Sequence, residues 1–281
     1  KGAKGVEGVN ESQNGQTAAQ DGGGSAMSIA AVIRAMALPT ESLVEQRVPK
    51  KMLSEQGAPT AADRRAIQEG VEELFWVAAL KPTNVGVPAF RDVAREYLEI
   101  AVLTAAFRQG AKASRLVELV HRAIPYPVVL ISASSASPRE TLFSVAHKRW
   151  SQGETGKVVI EDVHSTSPLH HEAGDPTVLA FLGSLAVALL PRGNLFALYQ
   201  GWVDRVSALE AGRITGAFVI PGASDQGGAV RDQLESHKAL ERELVLLRAR
   251  AKREKQINRR VDLNLEIKRL EAEMAAIRKR L

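Results

Sequence analysis

Two adjacent carboxylates, Glu161 and Asp162, lie on the run KVVIEDVHS, and Lys148 lies on the preceding run ETLFSVAHKRW. Acids and an amine on neighbouring strands can hold a divalent cation, orient a water and offset charge on a scissile phosphate ester. Lys148, Glu161 and Asp162 are therefore the candidate catalytic residues. Their spacing fits that chemistry poorly, because Val163 stands two residues after Glu161 and His164 two residues after Asp162, where an amine would be needed. Solvated charges on a hairpin are the plainer explanation.

The histidines add little. His164, His170, His171 and Glu172 are close in sequence, and such side chains suit a metal. The stretch HSTSPLHHE contains a proline, however, and adjacent His170 and His171 must point in different directions. Exposed loop polarity outweighs a ligand role, and no metal site is expected. His121 sits near the end of a helical stretch, where it can cap carbonyls or favour the helix dipole. No G-x-x-x-x-G-K-[ST], G-x-G-x-x-G, H-E-x-x-H or G-x-S-x-G occurs, which argues against P-loop enzymes, typical dinucleotide enzymes, zincins and α/β-hydrolases. No cofactor is expected. Cysteine is absent from all 281 residues, so disulfides, thiolate catalysis and thiolate-held metals are excluded.

Charge is informative through its placement. Residues 241–281 hold 13 Lys or Arg against 7 Asp or Glu, so the net +5 of the chain is a +6 tail on a −1 remainder. Seven cations fall within residues 248–260: Arg248, Arg250, Lys252, Arg253, Lys255, Arg259 and Arg260, against Glu254 alone. These are the candidate nucleic-acid or partner contacts, through phosphates; the alternative is an ordinary solvated coiled-coil exterior. No aromatic lies nearby, so base stacking is unsupported.

The elements that must carry these residues can be read from pattern. Residues 1–26 have the polar, glycine-rich composition of a disordered linker or extension, with Met27 as the expected natural start. SIAAVIRAMALP predicts a short helix stopped at Pro39, and VEQRVPKKMLSEQGAPT a loop. Thr60 and Asp63 form a capping signature, and Ile67, Val71, Leu74, Phe75 and Ala78 follow helical spacing, predicting one amphipathic helix over 61–80. EYLEIAVLTAAFR predicts a strand, and residues 114–123 a helix. HRAIPYPVVLI reads as a rigid helix-to-strand joint held extended by Pro125 and Pro127.

PVVLISAS, ETLFSVAHKRW and KVVIEDVHS predict three antiparallel strands. Two helices follow within 176–213, then an expected strand over 214–220. The apolar stretch 178–190 has 13 residues, short of the ~20 needed to span a bilayer, so no membrane is expected. GASDQGG within 223–230 reads as a flexible joint. Residues 231–281 contain no Pro or Gly and predict one helix of ~75 Å. Its apolar seam has two sections, Leu240 to Ala251 and Leu263 to Leu281, with coiled-coil spacings but no common register. Such a helix must pair with a copy of itself, fold back as a hairpin or dock on another protein.

The expected fold is α+β, a small mostly antiparallel sheet flanked by helices within a globular domain over 27–222, then a long coiled-coil-like basic helix over 231–281. The order helix, three strands, two helices, strand resembles the skeleton of restriction-type nucleases, which makes a degenerate metal-dependent nuclease one alternative. A stand-alone DNA-binding protein is another. Several stretches, namely RVPKKML, TAADRRAIQEGVEELFWVAALKP, REYLEIAVL, RLVELVHRAIPYPVVLI, SVAHKRW and EKQINRRVDLNLEIKRLEAEM, together resemble bacterial domain-of-unknown-function family 4391. The resemblance implies a bacterial, cytoplasmic protein encoded near helicase and DNA-methyltransferase genes in restriction-like or antiphage loci. It implies no established activity and transfers no catalytic residue. The leading expectation is a non-enzymatic accessory subunit of such a complex, with a helicase or methyltransferase as partner and residues 231–281 serving self-association, partner binding or DNA contact.

Overall fold

The computed structural model describes residues 28–154, 157–169, 175–222 and 224–281. The linker expected over 1–26, and His170, His171 and Glu172, lie outside the described residues.

The chain runs α1 (Ile29–Met36), β1 (Leu43–Arg47), α2 (Lys50–Gln56), α3 (Ala61–Gly70), β2 (Val71–Leu80), α4 (Pro82–Val85), β3 (Phe90–Arg91), β4 (Glu96–Tyr97), β5 (Ile100–Phe107) and α5 (Ala113–Ala123). It continues with β6 (Val128–Ser134), β7 (Ser137–Trp150), β8 (Val158–Ser165), α6 (Pro176–Ser184), α7 (Leu195–Thr215), α8 (Ser224–Arg253) and α9 (Ile257–Arg278). One six-stranded sheet has the order β1-β2-β5-β6-β7-β8, with β3 and β4 forming a separate small hairpin.

The sheet is larger than the small antiparallel one expected, and it is mixed. β5 and β6 lie side by side in parallel, Ala101 opposite Val128 and Phe107 opposite Ser134. A parallel pair needs a crossover, and α5 supplies it. The expected antiparallel succession of the next strands holds: β7 pairs antiparallel with both β6 and β8. Both faces of the centre are covered, which is why β5 and β6 read as continuous apolar runs. Val102, Val129 and Ile131 face a core completed by Met36 of α1, Phe181 of α6 and Leu198 and Trp202 of α7. Leu103, Val128 and Leu130 face a second core with Leu53 of α2, Ile67 of α3 and Leu116 and Leu119 of α5.

Several local expectations change. The helix expected over 61–80 ends at Gly70, and 71–80 is strand β2. Its pairing slips between Val71 and Glu73 and again between Trp76 and Ala78. A bulge adds one residue to the two-residue strand period, so Val71 and Leu74 face the same core at a spacing that mimics a helix. The α3 cap does form, with the Asp63 amide donating to Thr60 Oγ1 at 3.1 Å. Gly70 is needed where the chain turns, since a Cβ there would lie 2.8 Å from Leu116 Cδ1. The expected loop over 44–60 contains β1 and α2. The strand expected over 214–220 is absent: α7 continues to Thr215, and Gly216, at φ +90°, ends it.

The long C-terminal helix is two helices. α8 already begins at Ser224, within the expected joint, and the chain breaks at residues 254–256 without Pro or Gly. The two out-of-register seam sections belong to antiparallel partners. Leu244 and Leu247 of α8 pack on Leu270 of α9, flanked by Leu240, Leu263, Ile267 and Met274. Of the three ways to cover such a seam, the chain folds back on itself. No helix among the described residues is long and apolar enough to cross a membrane.

Candidate functional site

Lys148 and Glu161 are not brought together. Lys148 is 3% exposed, and its ammonium donates to the carbonyls of His121, at 2.6 Å, and Ile124. These are the last-turn and C-cap carbonyls of α5, which lack intrahelical partners and favour a cation. Burial nevertheless pulls the Lys148 pKa down to about 7. The lysine locks the helix-to-strand joint that Pro125 and Pro127 extend. His121 is fully buried beside it, with Nε2 3.1 Å from Ser144 Oγ. Burial, with the Lys148 charge second, lowers its pKa to about 3. Both groups serve the α5 face of the sheet.

Glu161 instead faces the side covered by α7. Arg95, in the loop between β3 and β4, donates from one guanidinium nitrogen to both Glu161 oxygens, at 2.9 and 3.2 Å. Arg149 stands 3.9 Å away. Asp162 is exposed. The β7–β8 pairing slips between Ala146 and Lys148, which displaces these side chains from simple alternation. No group of three or more His, Asp or Glu among the described residues could hold a metal ion.

What the fold does assemble is a polar cleft of about 750 Å³ between β7, β8, the first turns of α7 and the root of α8. A hydrogen-bonded chain runs along its floor. Tyr97 OH meets His147 Nδ1 at 2.5 Å, and His147 Nε2 meets Gln200 Oε1 at 2.8 Å. Gln200 Nε2 donates to Asp204 at 2.8 Å, and Arg231 of α8 donates to the same Asp204 oxygen at 3.0 Å. The order assigns the tautomer: Nε2–H donates to the amide oxygen, and Nδ1 accepts from the phenol. The imidazole is neutral, with a pKa that burial lowers to about 4 despite the Gln200 bond. Burial also raises the Tyr97 phenol and the Asp204 carboxyl.

Both nitrogens of His147 are engaged, so it offers no lone pair to a substrate. Several other buried polar side chains are held in the same way, although His121 Nδ1 and Ser132 Oγ are buried without a hydrogen-bond partner. Arg205 is 6% exposed and holds the carbonyls of Ser184, Gly201 and Leu189. Glu210 accepts from the Ser167 amide and hydroxyl. The Tyr199 hydroxyl accepts from the Ala146 amide at 2.7 Å and donates to the Val128 carbonyl at 2.6 Å. Sequence reading missed the Tyr97–His147–Gln200–Asp204–Arg231 chain, because its members are separated by up to 134 positions and share no motif.

The seven cations behave differently. They crowd the distal end of the α8–α9 hairpin, and all are exposed. Arg248 reaches across to Glu271 at 2.7 Å. Among the described residues no ion pair is formed by Arg250, Lys252, Arg253, Lys255, Arg259 or Arg260. Glu254 accepts from the Gln256 amide at 2.8 Å and so helps fix the turn. The root of this arm is fixed too: Arg231 ties α8 to Asp204 of α7, and a Cβ on Gly227 would lie 2.7 Å from that carboxylate.

Comparison with curated proteins and with solved structures gives no match. The family model described as a domain of unknown function, DUF4391, matches residues 36–274, a span reaching from the end of α1 to near the end of α9. The chain belongs to the DUF4391 family.

Proposed function

We propose that this chain is a non-enzymatic accessory subunit of a bacterial DNA-processing or defence assembly, reaching nucleic acid with the tip of its helical arm. One observation carries the reading: six of the seven cations at the tip have no ion-pair partner among the described residues. Unpaired cations concentrated at the end of a helical hairpin suit phosphates, whose neutralisation releases condensed counterions. The body, tied to the arm root through Arg231, is the part left to engage a larger protein. The helicase or methyltransferase implied by the family's resemblance is the proposed partner, in the cytoplasm. A restriction-type site gains no support, since Lys148 is buried against α5 while Glu161 pairs with Arg95.

The test is fluorescence anisotropy with a labelled DNA duplex. Joint replacement of Arg253, Lys255, Arg259 and Arg260 by Ser lowers affinity by at least about tenfold near ~100 mM salt and leaves the melting temperature unchanged. Undiminished affinity in that variant would refute the tip as the contact.

A further inference from the structure

Helix α9 is apolar on two opposite sides. One side is the seam buried against α8. The other carries Ile257, Val261 and Leu265, exposed at 68%, 50% and 62%, and continues through Lys268, Ala272 and Ala276, all exposed. Steps of four and three residues keep this row on one line of the helix. Phosphate contacts make no use of it.

We propose that the outer row of α9 is the contact between two copies of this chain, paired antiparallel about a two-fold axis. The row is graded: its first half is large and its second half small apart from Lys268. Reversing a second copy sets Ile257 against the partner's Ala276, Val261 against the partner's Ala272, and Leu265 against the aliphatic stem of the partner's Lys268. At four of the six facing positions a large side chain then meets an alanine, which lets the ends of the two helices approach closely. A parallel copy would set large against large at one end and leave a gap at the other.

The flanking charges agree with the reversed pairing. Residues flanking the row on one side meet the same side of the partner. Asp262 then lies within about one turn of the partner's Arg269 on one flank, and Arg260 within about one turn of the partner's Glu271 on the other. The two-fold axis repeats each pair, giving four opposite-charge contacts against two repulsions between Asp262 and the partner's Glu273. Such isologous self-complementarity is the usual basis of homodimers. The seam with α8 stays intact, and of the seven tip cations only Arg260 enters the contact.

The absence of native cysteine makes the register directly testable. In nuclease-treated full-length protein, the Val261→Cys plus Ala272→Cys double variant forms a disulfide-linked dimer on mild oxidation. Within one chain the two positions are about 16 Å apart along the helix, too far to bridge. Val261→Cys alone gives little crosslinking. By sedimentation, the 30.3 kDa chain moves towards twice that mass between about 5 and about 200 µM, and Leu265→Glu removes the shift without altering the melting temperature. Ala272→Leu weakens association about tenfold, because the enlarged side chain faces Val261 of the other copy. Four results would overturn the proposal: one-chain mass at every concentration, a dimer lost on nuclease treatment, a dimer that survives Leu265→Glu, or Val261→Cys alone crosslinking as readily as the double variant. The crosslinks and the mass shift are read on proteins that keep all seven tip cations, so failure here and failure of the tip contact are distinguishable.

Discussion

The body and the arm use the same residue types to opposite ends. In the body, polar groups that sequence reading would nominate for chemistry are engaged by the fold: Lys148 caps α5, Glu161 pairs with Arg95, and both nitrogens of His147 are occupied. At the arm tip, six cations face water without a partner among the described residues, and the outer row of α9 leaves large apolar side chains exposed. Buried polar groups must find partners or cost stability, so a charge in the body is weak grounds for function. An exposed, repeated and unpartnered set has no such structural reason, and there the functional reading is stronger.

The sharpest division should appear in stability. Trp202 is fully buried, and its indole donates to the Leu185 carbonyl at 3.1 Å. Trp202→Ala therefore costs about 3–5 kcal/mol of global stability in urea unfolding. A cost near zero would mean that the core between sheet and α7 is not what holds the body.

The body is also pH-sensitive in two windows, through groups the arm lacks. Lys148 has a folded pKa near 7 against an ordinary value of 10.5. The unfolded chain binds the extra proton between those values, so stability rises with pH across that window. Lys148→Met removes the rise, a difference of a few kcal/mol, on the order of one per pKa unit; an unchanged slope in chemical denaturation at pH 7 and 9.5 would contradict the burial argument. His121 and His147 have folded pKa values of about 3 and about 4 against an ordinary 6.5. Their contribution is present above pH 6.5 and is lost as pH falls through that value towards 4. Acid should therefore open the body, with amide exchange in β6 and β7 accelerating by pH 4.5 while the seam amides of α8 and α9 change less.

Leu247 is 4% exposed in the arm seam, yet Leu247→Ala should cost only about 2 kcal/mol, localised to α8 and α9. Hydrogen exchange checks this, since a two-helix seam can open without the sheet. If Leu247→Ala destabilised β5 and β6 as much as α9, body and arm would be one cooperative unit and the contrast would fail. Smallest of all, single tip substitutions such as Arg253→Ser should shift stability by no more than about 0.5 kcal/mol.

The same contrast governs what was legible in the sequence. The arm's two seam sections, its charge and its exposed cations followed from local spacing, but one continuous helix was expected where residues 254–256 break the chain into two, between the out-of-register sections. The strand triplet β6 to β8 was likewise local. The errors were non-local. Residues 71–80 looked helical because bulges set by pairing with β5 gave Val71 and Leu74 a three-residue spacing. The parallel β5–β6 pair depends on α5 crossing over, which no single run declares. The strand expected after α7 vanished because that helix runs on to Gly216. Nothing near Tyr97 could reveal that it meets His147 and, through it, Gln200.

The most direct test of the tip as the nucleic-acid contact is the salt dependence of duplex binding for three proteins: the parent, the four-cation tip variant and Arg149→Ser in the cleft. Each phosphate contact contributes a slope of about 0.9 in log K against log salt. Removing the tip cations should flatten the slope by up to about 3.6, and Arg149→Ser should leave it unchanged. A slope indifferent to the tip but reduced by the cleft arginine would place nucleic acid on the body and contradict the account.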